Sequence, residues 1–75
     1  MKSTNTPQYR AVLDRLIAAR KASGLSQAEL ASRLGRPQSY IAKIEIGERR
    51  IDVVEFLELA RTLGVSPASV LENLS

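Results

Sequence analysis

Residues Leu25–Glu48 read LSQAELASRLGRPQSYIAKIEIGE, and the start and stop signals inside this stretch decide the fold. Ser26 and Glu29 form a capping box, in which each side chain can satisfy the other's free backbone N–H. Leu25 and Leu30 flank it at the spacing of a hydrophobic staple. Gly35 stops this helix. Pro37 fits the first turn of the next, where a missing N–H costs no helical hydrogen bond, and Gly47 closes that one. The spacing predicts helices over Gln27–Leu34 and Pro37–Ile46, with only Gly35 and Arg36 between them.

The same punctuation continues outward. Gly24 ends a first helix over Gln8–Ser23, and Gly64 ends a fourth over Val53–Leu63. Asp52 with Glu55 makes an Asp-led capping box, flanked by Ile51 and Phe56. Ser66 caps a fifth helix over Pro67–Leu74, with Val65 and Val70 at staple spacing. Only the third helix starts badly. Arg36 is a poor cap, so that end relies on the preceding turn or on a ligand. No segment alternates as a strand does. The fold class expected is all-α, a compact five-helix domain over residues 8–75 behind a flexible tail of residues 1–7.

A chain of 75 residues allows one domain with a modest core, which self-association would help to stabilise. Its hydrophobic fraction of 44% is too high for a disordered chain. It contains no cysteine and no histidine. Disulfides, thiolate metal sites and the usual general base are therefore missing, and no cofactor or metal is expected. Glu55 with Glu58 lies at helix-surface spacing, without a nucleophile or phosphate loop, so an enzyme is not expected. The polar start carries no signal peptide, and no run is long enough to span a membrane, so a soluble cytoplasmic protein is expected.

The net charge of +3 is unevenly spread. Residues 1–50 hold ten Lys/Arg against four acids, and residues 51–75 hold one against four. This suits a polyanion on one side only; it equally suits solvated faces that happen to differ in sign.

Helical periodicity places Leu13, Leu16, Ile17 and Arg20 on one face of the first helix, with Tyr9 and Val12 leading in. The second helix offers Leu30, Ala31 and Leu34. In the third, Ile41 and Ile44 point inward; Ser39, Ala42, Lys43 and Ile46 point the other way, with Gln38 at the edge. The fourth carries Val53, Phe56, Leu57, Leu59, Ala60 and Leu63, a wider arc than one small core needs. A well-buried helix is the reading adopted. The alternative is a dimer interface drawn from Leu59, Leu63, Leu71 and Leu74.

The free face of the third helix has the chemistry of a groove reader. Gln38 can pair bidentately with adenine, Lys43 can reach guanine, and Ser39 can donate or accept. Ser26 and Gln27 open the bracing helix, where free N–H groups suit a phosphate. Arg36, Arg49 and Arg50 fringe the same side as backbone contacts. Tyr40 sits on the flank, packing first, with a thymine methyl or sugar as a further contact. Taken singly, each of these residues also fits an ordinary solvated surface. Their shared direction is what favours one ligand, double-stranded DNA.

LSQAELASRLGRPQSYIAKIEIGER resembles the helix-turn-helix of the phage-repressor and Cro (XRE-like) family, and ELARTLGVSPASVL resembles the tail of that domain. The resemblance covers Tyr9–Leu74. It implies base reading by Gln38, Ser39 and Lys43, phosphate contacts near Ser26 and Gln27, and an internal ion pair between Arg20 and Glu45. It also implies a regulator that binds a palindromic operator as a homodimer, with autoregulation as one context. A protein-interaction or antitoxin-like module with the same fold, serving an unknown protein partner, is the alternative. Three residues depart from the family pattern. Ile46 and Glu48 replace residues that favour phosphate, and Arg36 replaces a Ser or Thr cap.

Overall fold

A computed structural model describes residues 6–74, so the expected tail lies mostly outside the described residues. Five helices follow in order: α1 Pro7–Ala22, α2 Gln27–Arg33, α3 Gln38–Glu45, α4 Val53–Leu63 and α5 Pro67–Leu71. Among the described residues there is no strand.

Most boundaries fall within one residue of where the capping residues place them. Both capping boxes close. The Ser26 Oγ accepts from the Glu29 N–H at 3.0 Å while Glu29 Oε1 accepts from the Ser26 N–H at 2.8 Å. Asp52 and Glu55 do the same at 2.8 and 3.0 Å. Gly35, at φ +70°, adopts the left-handed conformation that turns α2 into α3. A Cβ there would meet nothing within 4 Å, so the turn constrains this residue by backbone conformation alone.

Six boundaries differ from expectation: α1, α2 and α3 end one residue early, at Ala22, Arg33 and Glu45, and three others have a local cause. α1 starts at Pro7, because Thr6 caps it by accepting from the Tyr9 N–H at 3.1 Å. α3 starts at Gln38: Pro37, at ψ 156°, is extended and serves as the N-cap residue without a side-chain cap bond. α5 stops at Leu71 instead of Leu74. The Arg15 guanidinium reaches over from α1 to accept-only groups there, donating to the Val70 and Glu72 carbonyls, and Asn73 turns left-handed at φ 54°.

Leu13, Leu30 and Ile41 are the largest fully buried side chains, and Ala31, wholly buried, lets α2 and α3 approach closely. α1 braces the assembly, packing on α3, α4 and α5. Its Arg10 donates to the Glu45 carbonyl at the end of α3, and its Tyr9 hydroxyl accepts from the Ile51 N–H at 3.1 Å. The underside of α3 is thereby fixed and its outer face left free.

α4 corrects the expectation of a well-buried helix. Phe56, Leu59, Ala60 and Leu63 are buried, but Val53 is 74% exposed, Val54 64% and Leu57 38%. The core takes one stripe of the wide arc and leaves the other to solvent. Among the described residues no helix is long and apolar enough to cross a membrane.

Candidate nucleic-acid interface

Gln38, Ser39 and Lys43 are all exposed on α3, opposite the buried Ile41 and Ile44. One chain of polar contacts runs behind them. Arg20, only 9% exposed, donates from Nε and Nη2 to the two carboxylate oxygens of Glu45 at 2.7 and 3.0 Å. A further bond from Arg20 Nη1 to the Leu25 carbonyl ties this pair to the start of α2. Glu45 Oε1 also accepts from Gln27 Nε2 at 2.8 Å, and Gln27 Oε1 accepts from Gln38 Nε2 at 2.8 Å.

The direction of this relay follows from chemistry. An ionised carboxylate only accepts, so Gln27 must meet Glu45 with its amide N–H. Gln27 is then left presenting oxygen to Gln38, which must answer with its own N–H. Gln38 keeps Oε1 and a second N–H for an outside partner. An acceptor beside a donor matches the N6 and N7 edge of adenine. The ion pair implied by the family resemblance is thus present, and it sets the sense of two amides. Gln27, expected near phosphate, is half-buried and bridges Gln38 to Glu45. Its role depends on the approach of α2 to α3, which no local pattern encodes.

The basic fringe divides. The Tyr40 ring is 7% exposed, so packing takes this side chain; Arg36 lies over it at 4.4 Å and Arg49 at 4.8 Å. Arg49 is held bidentately by Glu55, at 3.1 and 3.0 Å. This pair, with the Asp52 N–H, brings the Glu55 carboxyl down to about 2, and raises the Arg49 guanidinium above its ordinary value. Burial pushes the Tyr40 hydroxyl up, and the nearby Glu55 charge adds to it. Arg50 turns instead to α1, 4.5 Å over the Tyr9 ring. The Ser26 hydroxyl already accepts inside its capping box. Ile46 is 66% exposed and Glu48 is exposed, so both departures from the family pattern reach the surface.

The set expected for a dimer interface also divides. Leu59 and Leu63 are 3% and 8% exposed, spent on the chain's own core. Leu74 is partly buried against that core, and Leu71 is 48% exposed. Among the described residues the large apolar side chains left open are Ile46 on the α3 side and, elsewhere, Val53, Val54, Leu57 and Leu71. Val53 and Leu71 also line a shallow groove with Tyr9, Val12, Ile51 and Phe56. No group of three or more potential metal ligands gathers among the described residues.

A family model described as helix-turn-helix matches residues 16–70. A solved XRE-family like protein from Pseudomonas syringae pv. tomato superposes with a TM-score of 0.83 at 51% identity, covering 89% of this chain and 82% of that one. The chain belongs to the XRE-type helix-turn-helix family. This XRE-type domain also resembles the restriction-modification controller protein C.AhdI from Aeromonas hydrophila, at 37% identity and a TM-score of 0.72, over 80% of this chain and 91% of that one. A curated relative from Sinorhizobium fredii, named an uncharacterized HTH-type transcriptional regulator, y4dJ, is 43% identical over 47 residues. That match spans 63% of this chain and 61% of the relative's length. The whole relay from Arg20 to Glu45 falls within the residues matched to the helix-turn-helix model.

Proposed function

We propose that this XRE-type domain is a cytoplasmic, sequence-specific transcriptional regulator. It seats the leading end of α3 in the major groove of double-stranded DNA and binds a palindromic operator as a homodimer. One observation carries this reading: the relay from Arg20 through Glu45 and Gln27 leaves Gln38 an acceptor and a donor, oriented before any ligand arrives. Preorganisation of this kind lowers the ordering cost of binding. Ser39 and Lys43 stand beside Gln38 as further base contacts, and the exposed Arg50, from its place over the Tyr9 ring, is the candidate phosphate contact. Two domains occupying two half-sites gain the affinity that one small interface lacks.

The test is selection of bound duplexes from a randomised pool, followed by titration across salt. The expected result is an enriched inverted repeat whose affinity falls steeply with salt, as counterions are released from phosphates. Gln38→Ala should erase preference at an adenine, and Lys43→Ala at a second base pair. Arg50→Ala should weaken all sequences alike. No enrichment at low salt, together with a salt-insensitive protein partner covering Gln38 and Lys43, would establish the protein-interaction module instead.

A further inference from the structure

Arg36 departs from the family pattern as a capping residue, and its surroundings give it another use. It lies two residues before α3, at the same end as Gln38 and Ser39. Its side chain is exposed, and its guanidinium rests 4.4 Å above the Tyr40 ring. Among the described residues no carboxylate or carbonyl takes its N–H groups. Tyr40, whose ring lies beneath it, is only 7% exposed and packs in the core. Arg49 also lies against that ring, and Glu55 fixes Arg49 with two bonds. Glu55 is in turn fixed to the start of α4 through the Asp52 N–H.

A cation meant only to neutralise phosphate needs no such support, because a mobile lysine serves as well. A guanidinium resting on an aromatic face keeps its in-plane N–H groups unspent, and those groups match guanine O6 and N7 bidentately. Holding the planar group in place favours a bidentate partner of this kind over a point-charge contact.

We propose that Arg36 is a specificity-determining residue that reads a guanine, with Tyr40 as its positioning residue and the Arg49–Glu55 pair as the support behind Tyr40. The inference rests on the groove-reading function proposed above and extends it. The guanine lies beside the adenine taken by Gln38, toward the end of α3 from which Arg36 projects.

The experiment is duplex selection with the full chain and four variants: Arg36→Ala, Arg36→Lys, Tyr40→Leu and Tyr40→Phe. Wild type should enrich one guanine next to the Gln38 adenine, preferred about tenfold or more. Arg36→Ala and Arg36→Lys should both bring that preference close to unity while the other positions stay selective. Tyr40→Leu should weaken the same position, and Tyr40→Phe, which keeps the ring, should restore it. Circular dichroism separates this from unfolding: a Tyr40→Leu protein that has lost its fold loses selectivity everywhere, and the Arg36 pair then decides. The inference is overturned if Arg36→Ala lowers affinity for all sequences equally and Arg36→Lys recovers it, since that pattern marks a phosphate contact. It is also overturned if the selected site is unchanged in every variant. Failure of the wild type to enrich any sequence at low salt would instead overturn the groove-reading function itself.

Discussion

At the scale of single residues, Glu45 is where stability and recognition meet. Its carboxylate accepts two bonds from Arg20 and one from Gln27, with the paired side chains only 10% and 12% exposed. Removing one partner of such a pair strands the other charge away from water, which costs more than the pair itself contributes. Glu45→Ala should therefore cost about 3 kcal/mol, at the lower end for buried pairs. Urea denaturation measures this directly. Gln27→Ala leaves the ion pair intact, so it should cost far less stability while still freeing the Gln38 amide to rotate. If both variants lose the same stability, the relay is mere packing. In the charge balance Glu45 was one of the four acids of residues 1–50. Its pairing with Arg20 was legible only through the resemblance, because the two residues lie 25 positions apart.

At the scale of elements, helix ends were readable because caps are local. Ser26 with Glu29 and Asp52 with Glu55 each span only four residues of sequence, and both boxes close as expected. What local pattern could not convey is that Glu55 does two jobs. It caps α4 and also holds Arg49, through a turn whose course depends on Tyr9 gripping Ile51. For the same reason Arg49 read as a free basic residue, and Tyr40 as a flank that could touch DNA. The double duty has a pH signature. The Glu55 carboxyl lies at about 2 in the folded chain against an ordinary 4.5. A depressed folded-state value contributes stability that is fully present above the unfolded value and is lost as pH falls toward the folded one. Glu55→Gln should thus be less stable than wild type at neutral pH. The gap should close between pH 4.5 and 2. Urea midpoints for both proteins across that range check it; a gap that stays constant with pH would mean that the charge of Glu55 contributes nothing.

At the scale of the whole molecule, the core and the open surface compete for α4. Its apolar arc was legible, but how much of it the core would take was not, since that depends on how α1 and α5 settle against it. Leu59 and Leu63 are buried, Val53, Val54 and Leu57 are left outside, and Val53 shares a groove with the exposed Leu71. The chain exposes 4619 Å² in all, so a standard interface of about 800 Å² per partner takes a large share of it. We place the contact of the proposed homodimer on Val53, Val54, Leu57 and Leu71, away from the exposed Ile46 of the α3 side. The domain measures 30 × 28 × 20 Å. Two copies joined side by side would stand roughly one molecular width apart, of the order of the ~34 Å between successive half-sites. Val54→Glu isolates the question. Val54 is 64% exposed in the first turn of α4, where a carboxylate favours the helix dipole, so the monomer should fold with undiminished stability. A charge buried against its own symmetry mate should split the dimer, since two like charges meet across the two-fold axis. Sedimentation at micromolar concentration should show wild type as a dimer and Val54→Glu as a monomer. On DNA, the variant should match wild type on a single half-site and lose the added affinity of an inverted repeat. A variant that remains dimeric would move the two-fold axis off this face, and with it the expected spacing of the half-sites.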